Sequence, residues 1–336
     1  MYNTSKSPMM ILEERYAKGE ITKEEFDRMK MISEFNRFFS SKTLASTYKP
    51  TFVKCLLDLG DYNEYEGSEW VESNVDRLTV DLNFVAARFL RYYHPLKFKF
   101  KLKQEATPKT IAIYRILEEY STLIGTKSTP SKKKLSSEKF SEMRQKAIKD
   151  GIKPQVLKKL LNDCKIYTIS KGSNSIEIKK DIVKFMKDNK KVLESALNHM
   201  ISGYLEKCNS SPNISTKLEE RIPRTVLGKS DFQKIISMQT SSCFYCKSEG
   251  TEFAQEHFIP WNFLYQTEDY NIVASCKKCN SSKHDKLPER RFLDLIIQRN
   301  KELSNLPMGY SDEFMRNLYE NCRTEYHGKD KDLWSI

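Results

Sequence analysis

The chain has 336 residues, with 57 Lys and Arg against 45 Asp and Glu, a formal charge of +12, 11 Gly and 39% apolar residues. This length suits about two domains and the apolar share suits ordinary cores, which excludes collagen-like, mucin-like and wholly disordered classes. No run approaches the roughly 18 consecutive apolar residues of a membrane span, and MYNTSKSPMM lacks the apolar stretch of a secretory signal. A cytoplasmic protein with no membrane partner is expected.

Residues 9–36 read as two short helices joined by a tight turn, within a first segment 1–36. Gly19 can take the left-handed conformation that ends the first helix, and Thr22-x-x-Glu25 forms a capping box that starts the second. The string ILEERYAKGEITKEEFDRMK resembles the SHOCT helical hairpin, a resemblance that implies a role in assembly. A homo-oligomer, or a regulatory partner bound through the N-terminal helical segments, is the partner expected on this side.

Residues 37–125 carry helical periodicity, with Phe52, Val53, Leu56, Leu57 and Leu59 on one apolar face and Leu82, Val85 and Phe89 contributing to another. Near its end Tyr92, Tyr93, Phe98 and Phe100 interleave with Arg91, Lys97, Lys99 and Lys101. Such a run suits stacking on bases, but alternation of this kind is more often a half-buried strand with a wet basic face.

The net charge is concentrated in one place. Lys127–Lys191 holds 19 basic and 7 acidic residues, which leaves 38 of each for the rest of the chain. A confined basic region is what a phosphate-backbone binder needs, because each Lys or Arg near a phosphate releases counterions. Residues 126–136 read as a polar linker that opens a basic segment 126–208, with Lys132, Lys133 and Lys134 as candidate nucleic-acid contacts. Two helical patterns follow, around 137–150 and 154–163, the second opened by Pro154. KIYTIS and NSIEIK then flank Lys171-Gly172-Ser173-Asn174 as a hairpin. Two helices and a hairpin suggest a winged-helix-like DNA-binding unit, or a plain α+β spacer. CNSSPNIST (208–216) marks the next boundary.

The last segment, 217–336, contains the most informative residues. Four of the eight cysteines form Cys243-x2-Cys246 and Cys276-x2-Cys279, separated by 29 residues. Without a secretory signal, metal binding is favoured over disulfides. Four thiolates can wrap one tetrahedral Zn²⁺ and leave it no open position, so such a zinc is structural and the chemistry must come from residues beside it. Cys55, Cys164, Cys208 and Cys322 are scattered and read as ordinary thiols.

Those neighbouring residues are Glu256-His257, Asn271, Asn280 and His284, in the order His-x13-Asn-x8-Asn-x3-His. With His-Phe-Ile-Pro and Cys-x2-Cys-Asn-x2-Lys, this order resembles the HNH endonucleases, the ββα-metal nucleases. The resemblance spans about 45 residues and implies a catalytic Mg²⁺ or Mn²⁺ held by Glu256, Asn280 and, as in some members, His284. It further implies His257 as general base, Asn271 as the residue that fixes the loop, DNA as substrate, and 5′-phosphate and 3′-hydroxyl products. Lys283 is a candidate phosphate contact.

The residues themselves agree with this. EFAQEHFIP reads as a strand delivering His257, YNIVASC as its antiparallel partner, and Lys277 to about Asp285 as a helix. On that helix Asn280 and His284 share a face. Neighbouring strand residues point to opposite faces, so Glu256 and His257 can serve one site only if the chain bends there, as Pro260 allows. After Pro288, Phe292, Leu295 and Ile296 are expected to pack on the module.

The fold class expected is therefore multidomain and mainly α with α+β parts, ending in a zinc-stapled ββα-metal module. The function expected is metal-dependent hydrolysis of DNA phosphodiester bonds, with restriction or anti-phage defence inferred from the architecture. The same module would serve a mobile-element or homing-type nuclease, and the four thiolates alone would serve a non-catalytic zinc-dependent DNA-binding protein.

Overall fold

The computed structural model describes residues 8–40, 44–64, 68–105, 110–170, 174–219, 224–250, 252–304, 306–327 and 333–336. Contacts divide the chain into two compact units: Met1–Phe98 with Gln104–Leu205, and Lys99–Lys103 with Glu206–Ile336. No helix among the described residues is long and apolar enough to cross a membrane.

The first unit begins with the helical hairpin Pro8–Ala17 and Lys23–Phe39. Gly19 takes φ +72°, and Thr22 and Glu25 exchange both hydrogen bonds of the capping box, at 3.1 and 2.8 Å. The helix Tyr48–Leu57 is buried along its length, and Leu82–Phe98 buries Val85 and Phe89 completely. The antiparallel strands β1 (Val71–Ser73), β2 (Arg77–Asp81), β3 (Thr168–Ile169) and β4 (Ser175–Lys179) form one sheet in the order β1-β2-β4-β3.

That sheet changes the reading of the basic stretch. β3 and β4 pair as the expected hairpin, although Lys171, Gly172 and Ser173 of its turn lie outside the described residues. β4 also pairs with β2 along its whole length, Leu78 facing Ile178 and Val80 facing Ile176, all four buried. The would-be wing is thus an inner strand of a sheet shared with residues 71–81, and the stretch is not a winged-helix unit of its own.

Residues 126–136 are likewise not a free linker. Ser131 caps the short helix Lys132–Ser136, Leu135 is buried, and the Lys132 ammonium lies 3.0 Å from the buried carboxylate of Asp58. Lys134 donates to the Ile124 carbonyl at 2.6 Å, and both Lys133 and Lys134 are exposed. Pro154 does not open a helix; it sits inside a wide-turned segment, Ala147–Leu157, that continues the helix Ser141–Lys146.

The second unit is built around β5 (Ala254–His257) and β6 (Ile272–Ser275), antiparallel with His257 opposite Ile272. All four β6 residues are buried because the strand is covered on both faces. The helix Lys229–Met238 brings Ile235 onto Ile272 and Ala274, while Val273 faces a core of Phe244, Phe258, Phe292 and Met315. The helix Arg291–Asn300 buries Phe292 and Ile296 as expected. Leu295, by contrast, is 44% exposed, and Leu293 and Ile297 complete the packed face.

Residues 99–103 alternate as the sequence suggested, Phe100 and Leu102 in and Lys99, Lys101 and Lys103 out. They form no strand, because Lys101 takes φ 51° and Asn209 holds Lys103 from both sides, accepting from its N–H at 2.7 Å and donating to its carbonyl at 2.9 Å. Arg91, Tyr92 and Tyr93 belong to the preceding helix.

Candidate active site

The two cysteine knuckles meet. The sulfurs of Cys243, Cys246, Cys276 and Cys279 all lie within 4.8 Å of one another, and Cys246 and Cys276 are 3.8 Å apart. Four bonds of about 2.3 Å at tetrahedral angles put sulfurs about 3.8 Å apart, so the donor set fits a four-thiolate metal site. Backbone N–H groups already point at the sulfurs: Cys276 donates to Cys243 Sγ at 3.3 Å and Cys279 to Cys276 Sγ at 3.5 Å. The second of these caps the helix Lys277–Lys283, so the knuckle that could hold a metal also sets the start of the site's helix.

Asn271 is fully buried, and its amide clamps the backbone of Ile259, Oδ1 accepting from the N–H at 2.8 Å and Nδ2 donating to the carbonyl at 2.9 Å. Its own carbonyl accepts from Phe258 N–H at 2.8 Å. Together these bonds hold the bend that follows β5. Glu256 and His257, which a straight strand would point apart, both line a cavity of about 540 Å³ with Asn280, His284, Asp285 and Arg224. Arg299 and Asn300 brace the other end of the loop, donating to the carbonyls of Ile272 and Tyr270 at 2.8 and 2.9 Å. Replacing Asn271 by Ala leaves a buried N–H and C=O of Ile259 unpaired. It should cost about 2–4 kcal/mol, at about 1–2 kcal/mol for each of the two orphaned groups, the lower part of the usual range, measured as a lower midpoint in urea.

His257 is 3% exposed and both ring nitrogens are engaged. Arg224 Nη2 lies 3.0 Å from Nδ1, and Thr267 Oγ1 lies 3.0 Å from Nε2. A guanidinium only donates, so Nδ1 is the acceptor and Nε2 carries the proton. Thr267 in turn donates its hydroxyl hydrogen bond to the Thr225 carbonyl at 2.9 Å, which completes a consistent chain. Burial, with the nearby charges of Arg224 and Lys283, lowers the His257 pKa to about 3, far below the free-histidine value. The ring is neutral near pH 7.

Lys283 departs from its expected role. Its side chain is fully buried and its ammonium donates to Glu256 Oε1 at 2.6 Å and to the His257 carbonyl at 2.8 Å, so it does not face solvent phosphate. Burial raises the pKa of Glu256 and lowers that of Lys283, each opposed by the partner's charge. His284 is also placed differently. The helix ends at Lys283, and His284 turns out of it with φ 52° and ψ −125°, so it shares no helix face with Asn280. Its ring is 79% exposed, with Nδ1 2.9 Å from Asp285 Oδ1. The donors Glu256, Asn280 and His284 border one cavity, but His284 reaches it from beyond the helix end.

Arg224 and Thr267 carry no motif signal. They stand 33 residues before and 10 residues after His257, and only the fold brings them to its ring.

Comparison with known proteins bears on the same residues. The HNH endonuclease family model matches residues 243–286, and the Short C-terminal domain (SHOCT) model matches residues 7–31. No curated protein and no solved structure matches the chain. The thiolate cluster, the β5–β6 hairpin and the knuckle helix all fall within the first of these matches, and the chain carries an HNH endonuclease domain at residues 243–286.

Proposed function

We propose that the protein is a metal-dependent endonuclease that hydrolyses DNA phosphodiester bonds, with His257 as general base. The observation that carries this reading is the single cavity onto which His257 and the oxygen and nitrogen donors Glu256, Asn280 and His284 open. Those three residues would hold Mg²⁺ or Mn²⁺, which when bound supplies Lewis-acid stabilisation of the charge on the scissile phosphate and the leaving oxygen. Cys243, Cys246, Cys276 and Cys279 would hold a structural Zn²⁺. Asn271 holds the loop that aims the imidazole, and Thr267 fixes its tautomer.

The surplus of positive charge in residues 127–191 supports backbone binding of a nucleic acid, with the exposed Lys133 and Lys134 as candidate contacts. A cytoplasmic nuclease of restriction or anti-phage defence, assembled or regulated through its helical parts, is the biological setting proposed.

The test is cleavage of supercoiled plasmid with Mg²⁺ or Mn²⁺ by wild type and His257→Ala. Loss of a positioned base should slow cleavage by about 100-fold or more. Equal cleavage by both proteins, or by neither, sinks the reading. Labelled duplex DNA, single strands and RNA offered side by side decide the substrate.

A further inference from the structure

A base whose lone pair is already occupied cannot take a proton from water. In His257 the Nε2 proton is committed to Thr267 and the Nδ1 lone pair accepts from Arg224, so the imidazole described above is not ready to react. One of the two contacts must break. The Thr267 contact is backed by the Thr225 carbonyl, whereas Arg224 is exposed and lines the cavity.

Arg224 is also the one Lys or Arg among the described residues lining that cavity. Lys283 lies behind it, fully buried and bound to Glu256 and the His257 carbonyl. A phosphodiester entering the cavity therefore meets one protein cation, and that cation is a planar fork suited to two phosphate oxygens. A hydrogen bond from guanidinium to an anionic phosphate is stronger than one to a neutral imidazole, so the exchange runs toward the substrate.

We propose that Arg224 is a phosphate-binding residue that caps His257 Nδ1 in the free protein and transfers to the scissile phosphate when nucleic acid enters, uncovering the base. The proposal rests on the nuclease reading and deepens it. It makes uncapping of the base conditional on the arrival of a phosphate, with no separate lid.

The test uses the full chain with ¹⁵N-labelled histidine, without added Mg²⁺ or Mn²⁺, and reads the Nδ1 shift of His257. The free wild type should show a hydrogen-bonded Nδ1, and Arg224→Ala an unbonded one. Addition of a short DNA duplex should move the wild-type resonance to the position seen in the variant. In the plasmid assay Arg224→Ala should be slowed by about 100-fold, the usual loss for one donor to transition-state charge, with Arg224→Lys intermediate.

A wild-type resonance that DNA leaves in place, or an Arg224→Ala variant that cuts as fast as wild type or faster, overturns the proposal. These outcomes differ from failure of the nuclease reading. In that case His257→Ala matches wild type in cleavage, while the nitrogen shift still reports whether Arg224 lets go of the ring.

Discussion

Stripping the metal from the four-thiolate site, or replacing Cys243 and Cys279 by Ser, is expected to unfold the C-terminal module. The hairpin it staples is short: β5 and β6 have four residues each and the knuckle helix seven. A two-stranded ribbon of that size is marginal by itself. Cys243 N–H bonds to Ser248 and Phe244 N–H to Ala274, so the first knuckle fastens the chain ahead of β5 to the end of β6. Structural zinc sites contribute about 10 kcal/mol or more to folding at neutral pH, as much as the whole net stability of an ordinary domain. Chelator should therefore abolish near-ultraviolet dichroism from Tyr245, Phe258 and Trp334, all buried in this core, and nuclease activity should be lost with it. Retention of both after metal removal, verified by elemental analysis, would show that the thiolates do not hold the module together.

The parts of this protein legible from sequence are those encoded by short spacings. The capping box at Thr22 and Glu25, the two knuckles and the order of His257, Asn271 and Asn280 all lie within local stretches whose geometry depends on nearby residues. Contacts between distant segments were not legible. β4 finds β2 about a hundred residues earlier, so an apparent boundary at 126–136 was only a local run of polar residues, overridden by burial of Leu135 and the pairing of Lys132 with Asp58. Lys283 illustrates the same limit within the site. A lysine at the end of a polar heptapeptide helix looks solvated, yet the chain's bend at 258–259 places a carboxylate and a carbonyl around its ammonium. His284 followed the helical pattern up to the residue where the helix stops, and its positive φ had no marker in the sequence such as glycine provides.

Lys283→Met should be the most damaging single change in the module outside the cysteines. The lysine is fully buried and Glu256 is 6% exposed at its side chain, so removing the cation leaves a carboxylate in the protein interior without a counter-charge. Breaking a buried pair from one side costs about 3–5 kcal/mol, even where replacing both partners would cost little. It also removes the donor that holds the His257 carbonyl at the end of β5. Relief should come from acid. Glu256 already has its pKa raised by burial, and without Lys283 it rises further, so the folded variant binds a proton that the unfolded chain does not. A carboxyl whose folded pKa lies above its unfolded one gains stability as pH falls. The deficit of Lys283→Met against wild type, read from urea midpoints, should accordingly shrink from pH 8 toward pH 5. The double change Glu256→Gln with Lys283→Met should recover much of the loss, since neither side then carries charge. A deficit that stays constant across that range, or a double variant no more stable than the single, would mean that the methylenes of Lys283 and not its charge hold the site together.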